Sequence, residues 1–365
     1  MKGINPEYLN QLSEVQREWV LTATGYKFLT EFVWQKGCHL FIVGNTGSGK
    51  TQKGYWVIDW LCRGKHHPET QIWISTGKSN EILPLFCMGL PVRIILPKGS
   101  EIEVYEGKDK KPIDNLEIVQ VSDPGSAWWA VKRGMINIFE FRNTITPGQR
   151  SKWMSELFQT LATWCREGRM PKILPCTIYA DETQWFLAGS RITNDTDRAK
   201  TAEVVTENAT EIRSAGVRLV FFAQDYKNIT PASRENMTCT ILCRGAQVSR
   251  EDNAALSTHC YMKYGKIPAR YKPNEGKFVH ADGTAYPVTA PWIFRMFPEK
   301  QEDRDWCSRV CIKYGKKYGD TREGQEEIED ECMPELGRYA ALAIPKEQYH
   351  RGPSISELPE VITDE

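Results

Sequence analysis

The chain has 365 residues, enough for one large domain or two small ones, and an apolar share ordinary for a globular protein with a sizeable core. Its 47 Lys and Arg equal its 47 Asp and Glu, so there is no global basic field and any nucleic-acid contact must come from local patches. No apolar run approaches the ~20 residues of a membrane span, and Met1–Asn10 has no apolar signal core, so the expected location is cytoplasmic.

Asn5–Phe32 carries Leu9, Leu12, Val15, Trp19, Val20 and Phe28 on a loose helical period, a lead-in that packs on a sheet. Cys38–Val43 is an apolar run that reads as a buried strand. Gly44-Asn45-Thr46-Gly47-Ser48-Gly49-Lys50-Thr51 follows, then Gln52–Cys62, whose Tyr55, Trp56, Ile58, Trp60 and Leu61 suit a packed helix. Strand, Gly-rich loop, Lys-Thr and helix is the context of a phosphate-binding loop. Glycines let backbone N–H groups converge on an anion at a helix N-terminus, where the dipole also favours negative charge. Lys50 would reach the terminal phosphates of ATP, and the Thr51 hydroxyl would hold Mg²⁺.

Gln71–Ser75 and Pro91–Leu96 read as strands. Ser100–Val121 alternates weakly around a charged tip at 108–111, which suggests a hairpin inserted at the sheet edge. Met135–Phe141 is a strand, and Pro147 opens an amphipathic helix running to Arg166. Cys176–Ala180 is a strand ending at Asp181-Glu182; Ala199–Ser214 is a helix. Val217–Ala223, ending at Gln224, and Thr238–Cys243 are further apolar runs. Strands alternating with helices, several apolar on both faces, predict an α/β fold: a mostly parallel sheet sandwiched by helices. Gly276–Val288 reads as a hairpin around Asp282-Gly283, Gln301–Lys317 as a helix, and the acidic run 326–331 opens a mobile tail. The expected division is a helical lead-in (1–36), an ATPase core (37–265, with an insertion around 91–121) and a small C-terminal extension (266–365).

The eleven cysteines include no Cys-x-x-Cys and no assembly with zinc spacing, so they read as free core thiols. His66-His67 lies in a Lys/Pro-rich stretch that reads as an exposed turn.

Phosphoryl transfer needs a held metal and an oriented nucleophile beside the phosphate loop. Asp181 at a strand end would bind Mg²⁺, and Glu182 would activate the attacking water as general base. That pairing favours hydrolysis over transfer to a substrate hydroxyl. Gln224, ending the next apolar strand, would sense the terminal phosphate. Arg213, Arg244 and Arg250 are each placed to supply a guanidinium from a neighbouring subunit, and spacing does not choose among them.

Gly-x-Thr-Gly-Ser-Gly-Lys-Thr at 44–51 resembles the loop of the FtsK/HerA family of DNA-pumping ATPases. Ile212–Gln224 resembles that family's Arg-x-x-Gly, apolar strand, Ala-Thr-Gln pattern, with Ala223 standing where Thr is expected, and Thr238–Arg244 resembles its following strand. The resemblance spans about residues 38–260. It implies a RecA-like P-loop NTPase core with the Gln224 strand between the P-loop strand and the Asp181 strand. It implies a homo-oligomer, a hexameric ring with double-stranded DNA in its central channel, and Arg213 as the arginine reaching a neighbour's ATP. The family's usual N-terminal membrane segment and C-terminal winged helix have no counterpart in the pattern, which leaves a compact motor like the packaging ATPases of certain viruses, docking on a portal, capsid or membrane channel. Candidate DNA contacts are Trp128–Arg133, Arg142–Arg150 and Arg191–Lys200. The rival readings are a terminase-like packaging ATPase and an ATP-gated coupling or scaffold protein without sustained turnover.

Overall fold

The computed structural model describes residues 9–290, apart from 11, 13, 64–68, 77–80, 89, 107–110, 114, 171, 186, 189–192, 252 and 262–267, together with 307–314 and 340–345. His66-His67, most of the charged tip at 108–111, the acidic run and the last twenty residues lie outside the described residues.

In chain order the strands are β1 (Leu40–Val43), β2 (Thr70–Ile74), β3 (Val92–Pro97), β4 (Ile102–Glu106), β5 (Lys111–Pro112), β6 (Leu116–Val121), β7 (Ile136–Phe139), β8 (Cys176–Ala180), β9 (Val217–Ala223), β10 (Cys239–Leu242), β11 (Glu275–His280), β12 (Ala285–Thr289), β13 (Cys307–Tyr314) and β14 (Ala340–Pro345). The helices used below are α1 (Glu14–Val20), α2 (Ala23–Phe28), α3 (Lys50–Arg63), α4 (Pro124–Trp129), α5 (Pro147–Glu167), α6 (Thr196–Glu207), α7 (Ala209–Ser214), α8 (Pro231–Glu235) and α9 (Ala254–Tyr261).

Ten strands form one sheet in the order β12-β11-β10-β1-β9-β8-β2-β7-β3-β6. From β10 to β6 every neighbouring pair is parallel; β11 and β12 add antiparallel at one edge. The middle strands are buried on both faces, so each feeds two cores by simple alternation. On β1, Leu40 and Ile42 face one core and Phe41 and Val43 the other; on β9, Val220 and Phe222 oppose Leu219, Phe221 and Ala223. The first core collects Phe28, Phe32, Trp56, Trp60 and Trp73 under α1–α3. The second collects Trp128, Phe139, Trp153, Leu157 and Phe158 under α4 and α5.

Helix ends follow their capping chemistry. Asp123 accepts from Ser126 N–H in a reciprocal capping box at the start of α4, and Asp195 accepts from Asp197 and Arg198 N–H at the start of α6. Gly168 closes α5 in a left-handed conformation. The helix expected over 199–214 is two, α6 and α7, divided at Asn208.

Two expectations are corrected. Residues 307–314, read as part of a helix, form strand β13, paired with β4 and β14 in a separate four-stranded sheet. A spacing of four, as between Cys307 and Cys311, returns to the same face in a helix and in a strand alike, so it does not separate the two. Ser100–Val121 is also more than one hairpin: β4 and β5 pair antiparallel, but β6 leaves them to lie parallel to β3 in the main sheet. The hairpin expected over 276–288 forms as β11 and β12.

At the edge of the sheet where the parallel strands begin, a buried ion pair ties layers together. Arg218 on β9 and Glu69 just before β2 are both fully buried, with Arg218 Nη2 to Glu69 Oε1 at 3.1 Å. The guanidinium also donates to the carbonyls of Phe32, Cys38 and Gln35 and lies 4.4 Å over the Phe32 ring. Burial works against the charged guanidinium, yet the Glu69 carboxylate beside it lifts its pKa above the ordinary value. Removing one partner strands a buried charge. Glu69→Ala should therefore lower unfolding stability by about 3–5 kcal/mol, read as a shift of the urea midpoint, whereas the double replacement Glu69→Met with Arg218→Met should cost clearly less than the sum of the single changes.

Candidate functional site

All the polar termini of the central parallel strands gather at the other edge. β1 leaves the sheet between the ends of β9 and β10: Gly44 N–H donates to the Ala223 carbonyl at 3.2 Å and Asn45 N–H to the Arg244 carbonyl at 3.2 Å. The loop then turns through Gly47 (φ 72°) and Gly49 (φ 76°) into α3. At Gly49 a side chain is barred twice, by the left-handed backbone and by the Pro273 carbonyl, with which a Cβ would collide. Lys50, only 8% exposed, folds back along the loop and donates to the carbonyls of Gly44 (2.8 Å) and Asn45 (3.1 Å). Ser48 Oγ is buried and has no hydrogen-bond partner among the described residues. The loop is thus a formed cradle with a cation at its rim and an unsatisfied hydroxyl, which fits a polyphosphate.

β9 separates β1 from β8, yet the strand tips converge. Thr51 Oγ1 donates to Asp181 Oδ2 at 3.4 Å. A hydroxyl and a carboxylate meeting beside the loop are oxygen donors of the kind Mg²⁺ takes. Asp181 is held on three sides: its Oδ1 accepts from Glu182 N–H at 2.8 Å, its carbonyl accepts from the Thr76 hydroxyl, and β8 pairs with both neighbours. Glu182 takes φ 48°, left-handed for a residue with a side chain, where backbone is sparsely populated. Its carboxylate faces Arg142, Nη1 to Oε2 4.0 Å, and Arg142 donates to the Thr76 carbonyl at 3.0 Å. Thr183 Oγ1 donates to the Phe222 carbonyl at 2.8 Å, which pins this turn to β9.

Gln224, the first residue after β9, reaches the loop directly: Thr46 Oγ1 donates to its Oε1 at 3.2 Å. Gly44 through Thr51, Asp181, Glu182 and Gln224 therefore form one constellation. Arg213 does not join it. It is exposed and precedes β9, so roughly 20 Å of strand lies between it and the loop of its own chain. Arg244 is exposed beside the loop, and Arg250 lines a shallow cleft with Ser257, Thr258 and Tyr261.

The candidate DNA segments divide. Trp128 is core, its Nε1 donating to the Leu157 carbonyl at 3.0 Å, while Trp129 is 63% exposed with its ring 5.2 Å from that of Trp164. Arg142 is turned toward Glu182, and Arg150 Nη2 donates to the Arg142 carbonyl at 3.1 Å. Part of 191–200 lies outside the described residues.

Three participants carry no motif. Thr76 and Arg142 reach the Asp-Glu pair from the ends of β2 and β7, strands whose place beside β8 only the sheet order reveals. Lys53, fully buried one turn into α3, donates to the Pro273 carbonyl at 2.9 Å and so ties the loop's helix to the segment before β11. The signal available for Lys53 is a lysine on the packed side of a helix. Glu140, just after β7, is buried, which pushes its carboxyl up to about 7, although the Asn143 backbone and side-chain N–H groups donate to it and Arg142 lies near.

The strand order, the loop and the Asp-Glu strand end define a RecA-like P-loop NTPase fold. No protein-family model matches the chain, and no curated protein matches it. Among solved structures, the genome packaging NTPase B204 of Sulfolobus turreted icosahedral virus 2, in complex with sulfate, is similar over 70% of this chain and 97% of its own, at 13% identity and TM-score 0.40. Two further structures are similar as well. EssC (ATPases 2 and 3) of Geobacillus thermodenitrificans matches over 70% of this chain and 40% of its own, at 13% identity and TM-score 0.39. EccC (ATPases 2 and 3) of Thermomonospora curvata matches over 73% and 37%, at 12% and 0.34. Among the described residues no helix is long and apolar enough to cross a membrane.

Two measurements probe this site. Glu182→Gln keeps the shape but removes the proton acceptor, so nucleotide binding should persist while hydrolysis falls by about 10²-fold or more; wild-type turnover would remove Glu182 from that role. Glu140 supplies a pH signature. The unfolded chain gives up this proton near pH 4.5 and the folded chain holds it to about 7, so the stability it contributes is lost as pH rises through that window. Relative to Glu140→Gln, the wild type should lose on the order of 3 kcal/mol of unfolding free energy across it and no more above it.

Proposed function

We propose that the chain is an ATP-hydrolysing motor of the FtsK/HerA type that translocates double-stranded DNA, in genome packaging or DNA transfer for a virus or mobile element. The observation that carries the reading is the meeting of Thr51 with Asp181 beside the Lys50 cradle, with Glu182 next in the chain. Convergent loop amides and the Lys50 ammonium neutralise and orient the terminal phosphates of ATP. Mg²⁺, held by Thr51 and Asp181, would supply further positive charge at those phosphates. Glu182 orients a water and takes its proton as that water attacks the terminal phosphorus. Gln224, already bonded to Thr46, carries the state of the loop to β9.

Arg213 supports a ring. Because it sits at the opposite edge from its own cradle, the ATP it serves belongs to the next subunit, where a guanidinium supplied in trans is worth ~10³–10⁵ in rate. The hexameric state and the central DNA channel rest on the sequence resemblance.

The test is an ATPase assay with and without double-stranded DNA, read beside mass in solution. The motor reading expects DNA-stimulated hydrolysis in a six-fold assembly and none in Lys50→Ala. Mixing Lys50→Ala with Arg213→Ala subunits should restore part of the activity; no rescue at any ratio places Arg213 in a structural role. ATP binding without turnover, in wild type and at all DNA concentrations, would instead identify an ATP-gated scaffold.

A further inference from the structure

Two of the buried cysteines meet. Cys38, just before the P-loop strand, and Cys239, the first residue of β10, place their sulfur atoms 3.2 Å apart. The parallel register brings them there: Leu40 of β1 faces Cys239, and Cys239 N–H donates to the His39 carbonyl at 3.0 Å. Both are held from outside the pair, since Arg218 donates to the Cys38 carbonyl and both strands lie in the sheet interior. A disulfide bond spans ~2.05 Å, so closure asks the sulfurs to approach by only ~1.2 Å between strands already in register.

We infer that Cys38 and Cys239 are a peroxide-oxidisable dithiol whose disulfide staples the P-loop strand to β10. The thiol of Cys38 is held down to about 7, chiefly by the hydrogen bond from Cys239 and further by the Arg218 charge, while burial keeps the Cys239 thiol protonated. Cys38 is therefore the attacking sulfur. It is also the less enclosed of the two, 4% exposed against 1%, and the oxidant must be water-sized, which hydrogen peroxide is. The Cys38 thiolate attacks one peroxide oxygen, the O–O bond breaks, and the departing hydroxide takes a proton to become water. The Cys239 sulfur then attacks the sulfenic sulfur, the S–O bond breaks, and a second water leaves with the Cys239 proton. Two thiols are oxidised by two electrons and one peroxide is reduced to two waters.

The bond lies at the edge of the sheet opposite the nucleotide cradle, so its effect is on unfolding. It closes a loop between positions 201 apart in sequence, a strong constraint on the unfolded chain. The full chain is reduced, desalted, treated with stoichiometric hydrogen peroxide, alkylated with N-ethylmaleimide in denaturant and digested. The expected result is one linked peptide pair bearing Cys38 and Cys239, lighter by two hydrogen masses. Melting should rise by roughly 5–10 °C and return with a phosphine reductant. Cys38→Ser and Cys239→Ser should each abolish both signals; the wild-type peptide map decides the matter even if a variant fails to fold. Recovery of Cys38 and Cys239 as separately alkylated or sulfinic peptides, or an unchanged melting temperature, would overturn the inference. Neither readout involves nucleotide, so it stands apart from the ATPase reading.

Discussion

The organising constraint is burial of the central strands on both faces. β9, β1 and β8 have no side facing water, and each alternates its side chains between two aromatic-rich cores. Along such strands a polar group survives only with its partners supplied, as His39, Arg218 and Glu69 do at the edge where the strands begin. The remaining polar groups stand at the strand ends. The cradle, Asp181, Glu182 and Gln224 sit at one rim because the sheet interior excludes them.

The two rims divide the labour. One is a lattice of buried contacts, in which Arg218 alone addresses Glu69, four main-chain carbonyls and an aromatic ring. The other carries the chemistry: a buried serine hydroxyl without a partner among the described residues, a lysine donating to loop carbonyls, a glutamate in a left-handed backbone facing an arginine 4.0 Å away. Rigidity at the first rim holds the geometry of the second.

Much of this was legible in the chain. The P-loop follows from glycine placement and its flanks, the strands from apolar runs too short for helices, and Asp181-Glu182 from standing where such a run stops. The position of β9 between β1 and β8 came from resemblance, and the sheet order agrees with it. What escaped were properties of packing. A Trp pair splits into a buried Trp128 and an exposed Trp129 because α4 turns by 100° per residue. The Cys307–Cys311 spacing suits helix and strand equally, and β4, some two hundred residues away, decides it. Arg142 reads as a loop charge until β7 is seen to end near the Asp-Glu turn.

The Pro273 carbonyl touches the phosphate loop from behind, at Gly49, and accepts from Lys53 inside the following helix. The chain continues from there straight into β11 and β12, the outermost strands on that side of the sheet. The cradle is therefore tied, through Gly49 and Lys53, to the segment that opens the edge hairpin, and not only to the strands of the close-packed interior.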